Sequence, residues 1–168
     1  MALKKSSETI TVGFSLTESA ANTFTQGRVD LQLNPLDQEV FVVLAVDLDP
    51  SPPFNVLGTN TATEASLSTT SLLSMGNINQ SQVIANSKLD IRYDAASMNG
   101  IPFTRNANDE PTGMVDYIAI ISTNDFFVQV QGTNNPSARQ VFGRMWGYRA
   151  KADAATYAAL VQSEVLSS

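Results

Sequence analysis

The sequence predicts an all-β fold: a single antiparallel β-sandwich domain with a short helix near its C-terminus. Three observations predict it. Apolar residues recur at every second position in several segments, which is the spacing of strands that bury one face. Clusters of Gly, Pro, Asn and Asp separate these segments at intervals of about 8–12 residues. Strand and helix patterns do not alternate, as they do in the βαβ units of α/β enzymes.

The strands of the first half follow two patterns, either alternation or a continuous β-branched run. They cover residues 7–16, 27–34, 39–48, part of 54–74, and 83–96. The third is the continuous run, which is typical of a central strand buried on both faces. Asn99 and Gly100 then supply the two residues of positive φ that a tight hairpin turn needs, and the chain returns along residues 101–103.

The second half predicts three more strands and a helix. Residues 114–122, 126–131 and 139–150 are separated by turns about ten residues apart, which is typical of a meander. Asp153 can cap a helix over residues 154–166. The apolar side chains of this helix recur at helical spacing and are Tyr157, Leu160, Val161 and Val165.

These elements predict one β-sandwich of jelly-roll type with about eight strands. At 168 residues the chain matches one ordinary domain, with a single core. No internal repeat or linker divides it, so we predict one domain over residues 1–168. Within it we expect an N-terminal arm over about residues 1–7 and a C-terminal helix over about residues 153–166.

The composition favours a surface that packs against protein. Charged residues make up only 15% of the chain, against about 25% in ordinary domains, and Ser, Thr, Asn and Gln replace them. Neutral polar side chains cost less to desolvate than ionised ones. The chain therefore suits contacts between copies of itself.

Two residue types are missing, and their absence excludes much of enzyme chemistry. The chain has no His and no Cys. It cannot supply an imidazole base, a Ser-His or Cys-His pair, a disulfide, or a zinc site built from thiolates or imidazoles. Carboxylate-pair, Ser-Lys, Tyr-based and oxygen-ligated metal chemistry remain open but have no specific signature here. We therefore predict no catalytic residue and no cofactor, and we expect that the protein is not an enzyme.

Net charge and hydropathy bound the partners. A net charge of −6 and a pI near 4.4 predict that the domain body repels nucleic acid rather than binding it directly. The first residues lack the apolar run of a secretory signal, and the longest apolar stretch, residues 40–46, has the length of a strand. We expect neither a signal peptide nor a transmembrane segment.

Asp47 and Asp49 place two carboxylates on one face at the end of a predicted strand, where oxygen ligands could bind Ca²⁺. The pairs that could complete such a site are Asp90 with Asp94, or Asp109 with Glu110. We prefer the interpretation that these carboxylates face water, because Asp-x-Asp lacks the spacing of a calcium loop. A general acid and base pair for glycoside hydrolysis is disfavoured, since neighbouring carboxylates on one strand seldom reach the required separation.

Basic and aromatic residues interleave near the C-terminus. The basic residues are Arg139, Arg144, Arg149 and Lys151, and the aromatic ones are Phe142, Trp146 and Tyr148. Arg and large aromatic residues are enriched at the centres of interfaces, so we predict that residues 139–168 form an assembly element. Arg139, Arg144, Trp146, Tyr148 and Arg149 would lie at a subunit contact that attracts acidic neighbours. The alternative is a solvated strand whose Trp146 belongs to the core.

The helix that follows must also bury its apolar face, because a helix of about three turns is marginal alone. Its Tyr157, Leu160 and Val161 would dock either on the chain's own sheet or on a neighbouring subunit. Gly13, Gly143 and Gly147 interrupt strand patterns, which indicates bulges or close backbone approaches.

The predicted meander over residues 114–150, the Ser/Thr/Asn-rich surface, the absence of cysteine and the terminal helix together resemble the single jelly-roll capsid proteins of tailless icosahedral viruses. The resemblance covers most of the chain. It implies a shell formed through edge contacts, with terminal arms that reach neighbouring subunits. This chain differs in lacking a strongly basic N-terminal arm, since Lys4 and Lys5 are the only basic residues there. Genome packaging by the arm is therefore not expected.

The resemblance also implies a structural protein of the virion, made in the host cytoplasm, whose partners are copies of itself and in some cases a second capsid protein. The alternatives are a β-sandwich binding module, a virion spike or decoration protein, and a subunit of a non-viral filament. A binding module would need a groove lined by exposed aromatic side chains. One Trp and four Tyr supply few of these.

Overall fold

The computed structural model describes residues 3–107 and 116–167, which form two facing antiparallel sheets and a C-terminal helix. The strands are β1 (Leu3–Lys5), β2 (Ile10–Thr17), β3 (Thr25–Asp30), β4 (Glu39–Pro50), β5 (Thr61–Ser68), β6 (Val83–Asp94), β7 (Asn99–Ala107), β8 (Ala119–Ile121), β9 (Asp125–Thr133) and β10 (Gln140–Ala152). A 3₁₀ turn at Pro35–Asp37 precedes β4, and helix α1 (Ala154–Ser167) follows β10. The prediction of an all-β sandwich with a short terminal helix is confirmed.

Strand β10 is the axis of the first sheet. Strand β4 pairs along one side of β10, and β8 pairs with β4. On the other side of β10 the N-terminal chain forms two successive strands, with Leu3 opposite Ala152 in β1 and Thr17 opposite Gln140 in β2. We call this sheet 1. Sheet 2 has the order β3-β9-β5-β6-β7. Within the predicted N-terminal arm, Leu3–Lys5 is thus a strand of sheet 1.

The strand pairing has jelly-roll topology. Among the eight strands β2–β6 and β8–β10, the first pairs with the last, the second with the seventh, the third with the sixth, and the fourth with the fifth. This nested pairing is that of one long antiparallel ribbon wrapped into two sheets, and β1 and β7 are additions to it.

One predicted connection is wrong. Strands β8, β9 and β10 lie alternately in sheet 1, sheet 2 and sheet 1, so the meander expected over residues 114–150 does not form. The alternation of apolar residues predicts which side chains face the core, but not which sheet a strand joins. Residues 114 and 115 of that segment lie outside the described residues.

The main core lies between the two sheets. Phe41 and Met145 of sheet 1 pack with Leu67 and Phe126 of sheet 2, and all four are almost fully buried. A second apolar cluster lies on the outer face of sheet 1 beneath α1 and includes Val40. The first half of β4 is therefore buried on both faces, as the sequence predicts, because the helix covers its second face.

Helix α1 docks on its own chain. The Asp153 carboxylate caps the helix, accepting a hydrogen bond from the Thr156 amide at 2.7 Å, and this bond lowers the pKa of Asp153. Glu164 is buried and accepts bonds from the amides of Ser122 (2.6 Å) and Thr123 (3.1 Å) after β8. Val165, predicted on the apolar face, is 60% exposed, since Glu164 occupies that side of the last turn.

The β6–β7 turn also differs from the prediction. It comprises residues 95–98, and Asn99 already pairs with Asp94 in the ladder. The Asp94 carboxylate accepts bonds from the Ser97 hydroxyl (2.6 Å) and the Ala96 amide (3.3 Å), which stabilise the longer turn and lower the pKa of Asp94. Gly100 is needed for space instead, because a Cβ there would lie 2.6 Å from the Asn55 side chain.

A polar network covers part of the outer face of sheet 2. The Gln129 side chain is fully buried, accepts a bond from the Ser66 hydroxyl (2.7 Å) and donates to Ser68 (2.8 Å) and Gln26 (2.9 Å). Residues 69–82 lie over it, and amides of this segment donate to the Gln26 and Ser66 side chains. This part of sheet 2 is therefore covered by the chain's own residues.

The glycine predictions hold at two of three positions. A Cβ at Gly147 would overlap the Val42 carbonyl oxygen and the Phe41 ring, and one at Gly143 would overlap the Phe14 ring. The register between β10 and β4 also shifts by one residue beside Gly147. A Cβ at Gly13 would meet no neighbouring atom within 4 Å, so the expected close approach there is wrong.

Substituting these glycines by alanine separates a required glycine from a replaceable one. We expect Gly147→Ala to lower the free energy of unfolding by about 3 kcal/mol, because the added methyl group overpacks the sheet. Gly13→Ala changes it by no more than about 0.5 kcal/mol, since the position is open. Urea unfolding measures both, and equal effects of the two substitutions would contradict this description of the sheet.

Candidate interaction surface

Helix α1 leaves half of the outer face of sheet 1 uncovered. Here the register sets three strands side by side: Phe142 is opposite Ser15 and Asp49, Arg144 is opposite Gly13 and Asp47, and Trp146 is opposite Thr11 and Ala45. Directly paired residues project from the same face of a sheet. We call the surface formed by these nine residues the open face.

The alternation along β10 explains why these side chains face outward. Val141 and Met145 are fully buried in the core, so Phe142, Arg144 and Trp146 lie on the opposite side of the strand. The Phe142 side chain is 48% exposed. In the sequence, the aspartate pair and the basic aromatic segment are two separate groups. The register of β4 against β10 brings them together on one face.

Among the described residues, no side chain neutralises the charges of the open face. The Arg144 guanidinium lies 5.7 Å from the centroid of the Trp146 ring and stacks on it. Within residues 3–107 and 116–167, the Arg144 guanidinium forms no ion pair within 4.0 Å, and the carboxylates of Asp47 and Asp49 form neither ion pairs nor hydrogen bonds. One cation and two anions thus lie next to one another and can form ion pairs with a partner molecule.

Two other predicted arginines hold the chain's own loops. The Arg139 guanidinium lies 4.1 Å from the Phe54 ring centroid and donates to the Pro52 carbonyl at 3.0 Å. Arg149 donates to the Leu31 carbonyl at 3.0 Å and lies 3.7 Å from the Glu39 carboxylate. Contact of either with another subunit stays a prediction, and the structure separates both from the open face.

The remaining predicted contact residues surround helix α1. Tyr148 lies at the border of the open face, with the Lys5 amine 5.0 Å from its ring centroid. Tyr157 and Leu160 pack on the apolar cluster under the helix, and Val161 is half-buried. These side chains hold α1 to its own sheet, and a role in subunit contact stays a prediction for them.

The carboxylates expected to complete a calcium site do not join Asp47 and Asp49. Asp90 and Asp94 belong to β6 in the other sheet, and Asp109 and Glu110 lie outside the described residues. The described parts of the chain contain no group of three or more acidic side chains placed to hold a metal ion. Calcium binding by Asp47 and Asp49 stays a prediction.

The described residues also form several concave regions that the sequence did not indicate. One of about 150 Å³ beside the β6–β7 turn has a single aromatic residue, Tyr93, in its lining. Two others have none. A cleft of about 230 Å³ lies between α1, β8 and the start of β6, and the buried Glu164 lines it. An open groove of about 670 Å³ on sheet 2 is lined by polar residues that include Asn86, Lys88 and Arg105. None of the described residues lining either region is aromatic, so neither matches the groove expected of a binding module. No helix in the described chain is long and apolar enough to span a membrane.

Comparison with known proteins does not assign a family. No protein-family model matches the sequence, and no curated protein matches it. Among solved structures, a chain described as "Desmodium yellow mottle tymovirus" aligns over 88% of this chain and 90% of its own length, with 10% identity and a TM-score of 0.33. A TM-score this low does not establish a shared fold, and the jelly-roll assignment rests on the strand pairing described above.

Alanine substitutions distinguish Arg144, which forms no ion pair within the described residues, from Arg149, which binds groups of its own chain. We expect Arg149→Ala to lower the free energy of unfolding by about 1–2 kcal/mol, because it leaves the Leu31 carbonyl and Glu39 without their partner. Arg144→Ala changes it by no more than about 0.5 kcal/mol. Urea unfolding at a concentration where the chain is monomeric measures both. A larger loss for Arg144→Ala than for Arg149→Ala would contradict the assignment of Arg144 as a free surface group.

Proposed function

We propose that this chain is a structural subunit that assembles with copies of itself, and that the assembly is the shell of a virion. The observation that carries the proposal is the open face. It presents Phe142, Arg144 and Trp146 on one face of a sheet. Trp and Arg are enriched among the residues that dominate binding energy at protein interfaces, and Phe is enriched in the contact surfaces themselves.

The fold is compatible with this role but does not decide it. Jelly rolls occur in viral capsid proteins, lectins and cupins, so function must be argued from the residues. A lectin-like module would hold its ligand in a concave site with exposed aromatic side chains. In this chain the single tryptophan, Trp146, lies on the outer face of a sheet, and the Arg144 guanidinium lies 5.7 Å from its ring centroid. That arrangement favours contact with another protein surface.

Exposed apolar side chains on the connecting loops add support. Leu36 is 92% exposed between β3 and β4, Leu57 is 73% exposed between β4 and β5, and Leu73 is 100% exposed between β5 and β6. Single exposed apolar residues are ordinary in monomers. A shell subunit has several neighbours, and large apolar side chains on several loops suit that arrangement.

The proposed partners follow from the charge of the chain. With a net charge of −6, the subunit would contact copies of itself, or a second capsid protein, rather than bind the genome through its body. Such a subunit would be located in the virion. A spike, a decoration protein and a filament subunit share the same surface chemistry, and the size and shape of the assembly distinguish them.

Electron microscopy and light scattering of the purified chain test the proposal. We expect closed particles of uniform diameter, formed without any other viral component. Open filaments would contradict a shell, and a monomer at every concentration and salt condition would contradict self-assembly.

Two phenylalanines with equal exposure provide a matched test of the surface. Phe142 on the open face and Phe103 on sheet 2 are both 48% exposed. We expect Phe142→Ser to abolish particles, because it removes apolar area from the contact, and Phe103→Ser to leave them intact. Circular dichroism checks that both variants fold. Equal loss of particles in the two variants, or loss only in Phe103→Ser, would contradict the assignment of the open face.

A further inference from the structure

We propose that two copies of the chain pack their open faces together about a two-fold axis, so that Arg144 of each copy pairs with Asp47 and Asp49 of the other. This inference rests on the proposed function, because it names the partner and the geometry of one contact in the assembly. The occupant of the open face is thus a second copy of the same chain.

The charge pattern of the open face favours this packing. Arg144 and Asp47 are direct neighbours across β10 and β4, yet they form no ion pair because the guanidinium lies over Trp146. Asp49 follows two positions along β4 on the same face. A face that carries both signs side by side, without pairing them internally, is complementary to a copy of itself.

The pairing of β10 with β4 also fits a two-fold axis. A two-fold axis parallel to the strands and midway between β10 and β4 exchanges the positions of the two strands. It places Arg144 of one copy over Asp47 of the other, and the same rotation supplies the reciprocal pair. Asp49 then lies opposite Phe142 and is the diagonal neighbour of Arg144. Trp146 then lies over Ala45, so that the largest side chain meets a small one across two sheets about 10 Å apart.

The apolar side chains beside Arg144 would strengthen these ion pairs. Phe142 and Trp146 flank Arg144 along β10 and would exclude water from around it. A charge pair attracts more strongly where water is excluded, and a charge left alone there is costly. Reversal of one partner should therefore weaken association far more than at an exposed rim.

The other exposed apolar surface lacks this pattern. At the β6–β7 end of sheet 2, Arg92 lies over the Phe103 ring at 5.4 Å and within 3.6 Å of the Asp90 carboxylate. Its charge is already paired within the chain. The part of that sheet face around Gln129 is covered by residues 69–82, and the polar groove with Lys88 and Arg105 lies between the two.

Charge reversal on one chain at a time tests the inference. The variants are Arg144→Glu and the double variant Asp47→Lys with Asp49→Lys. Each variant alone brings like charges together twice across the axis, and we expect its self-association to fall by about 100-fold or more. In an equal mixture, each two-fold pair of unlike chains has both ion pairs restored, and association returns to near the wild-type level. Arg105→Glu, an exposed arginine on sheet 2, is the matched control and should associate like the wild type.

Trp146 provides a second readout, because it is the single tryptophan of the chain and belongs to the proposed contact. Its fluorescence emission should shift to shorter wavelength in the wild type and in the mixture, but in neither variant alone. Thermal unfolding of each variant establishes that it is folded. Restored association without a change in Trp146 emission would place the contact elsewhere and overturn the inference.

The remaining outcomes separate this inference from the proposed function. If each variant loses association and the mixture does not regain it, the two-fold geometry is wrong. If neither variant loses association and particles still form, the open face is not the contact and this inference fails, while self-assembly holds through another surface. If the wild-type chain never associates, the proposed function fails and this contact fails with it.

Discussion

The structure depends on the pairing of β10 with strands on both sides along most of its length. Its register against β2 and β4 places Val141 and Met145 in the core and Phe142, Arg144 and Trp146 on the outside. Gly143 and Gly147 make this register possible, because a side chain at either position would collide with a neighbouring strand or ring. One ladder thus sets both the core and the candidate interaction surface.

The second determinant is which surfaces the chain covers by itself. Helix α1 buries the first half of β4, and residues 69–82 cover the network around Gln129 on sheet 2. What remains open on sheet 1 is a face with unpaired charges of both signs beside two aromatic rings. The open face is therefore the part of sheet 1 that the chain does not cover itself. Its charges of both signs indicate a second copy of the chain as the partner.

The sequence predicts the elements well because its signals are local. Alternating residues mark the strands, the continuous run marks β4 as doubly buried, and Asp153 marks the start of α1. Register is not local, so the sequence could not place Asp47 beside Arg144 or assign β8 and β9 to different sheets. The prediction of a tight turn at Asn99-Gly100 is wrong for a related reason. The Asp94 carboxylate stabilises a longer turn, and Asn99 already pairs with Asp94. The packing of β10 against β4 crowds Gly147, whereas Gly13 of β2 lies on the open face, and the spacing of residues in the sequence does not distinguish the two positions.

The central claim is that the open face is buried between copies of the chain. Electron cryomicroscopy of the assembled particle tests it most directly, since the sheet faces and the Trp146 ring can be located in the density. We expect two subunits with their β10 and β4 strands face to face and Trp146 enclosed between them. A particle in which Trp146 and Phe142 point into solvent, with the subunits joined through other surfaces, would contradict the claim.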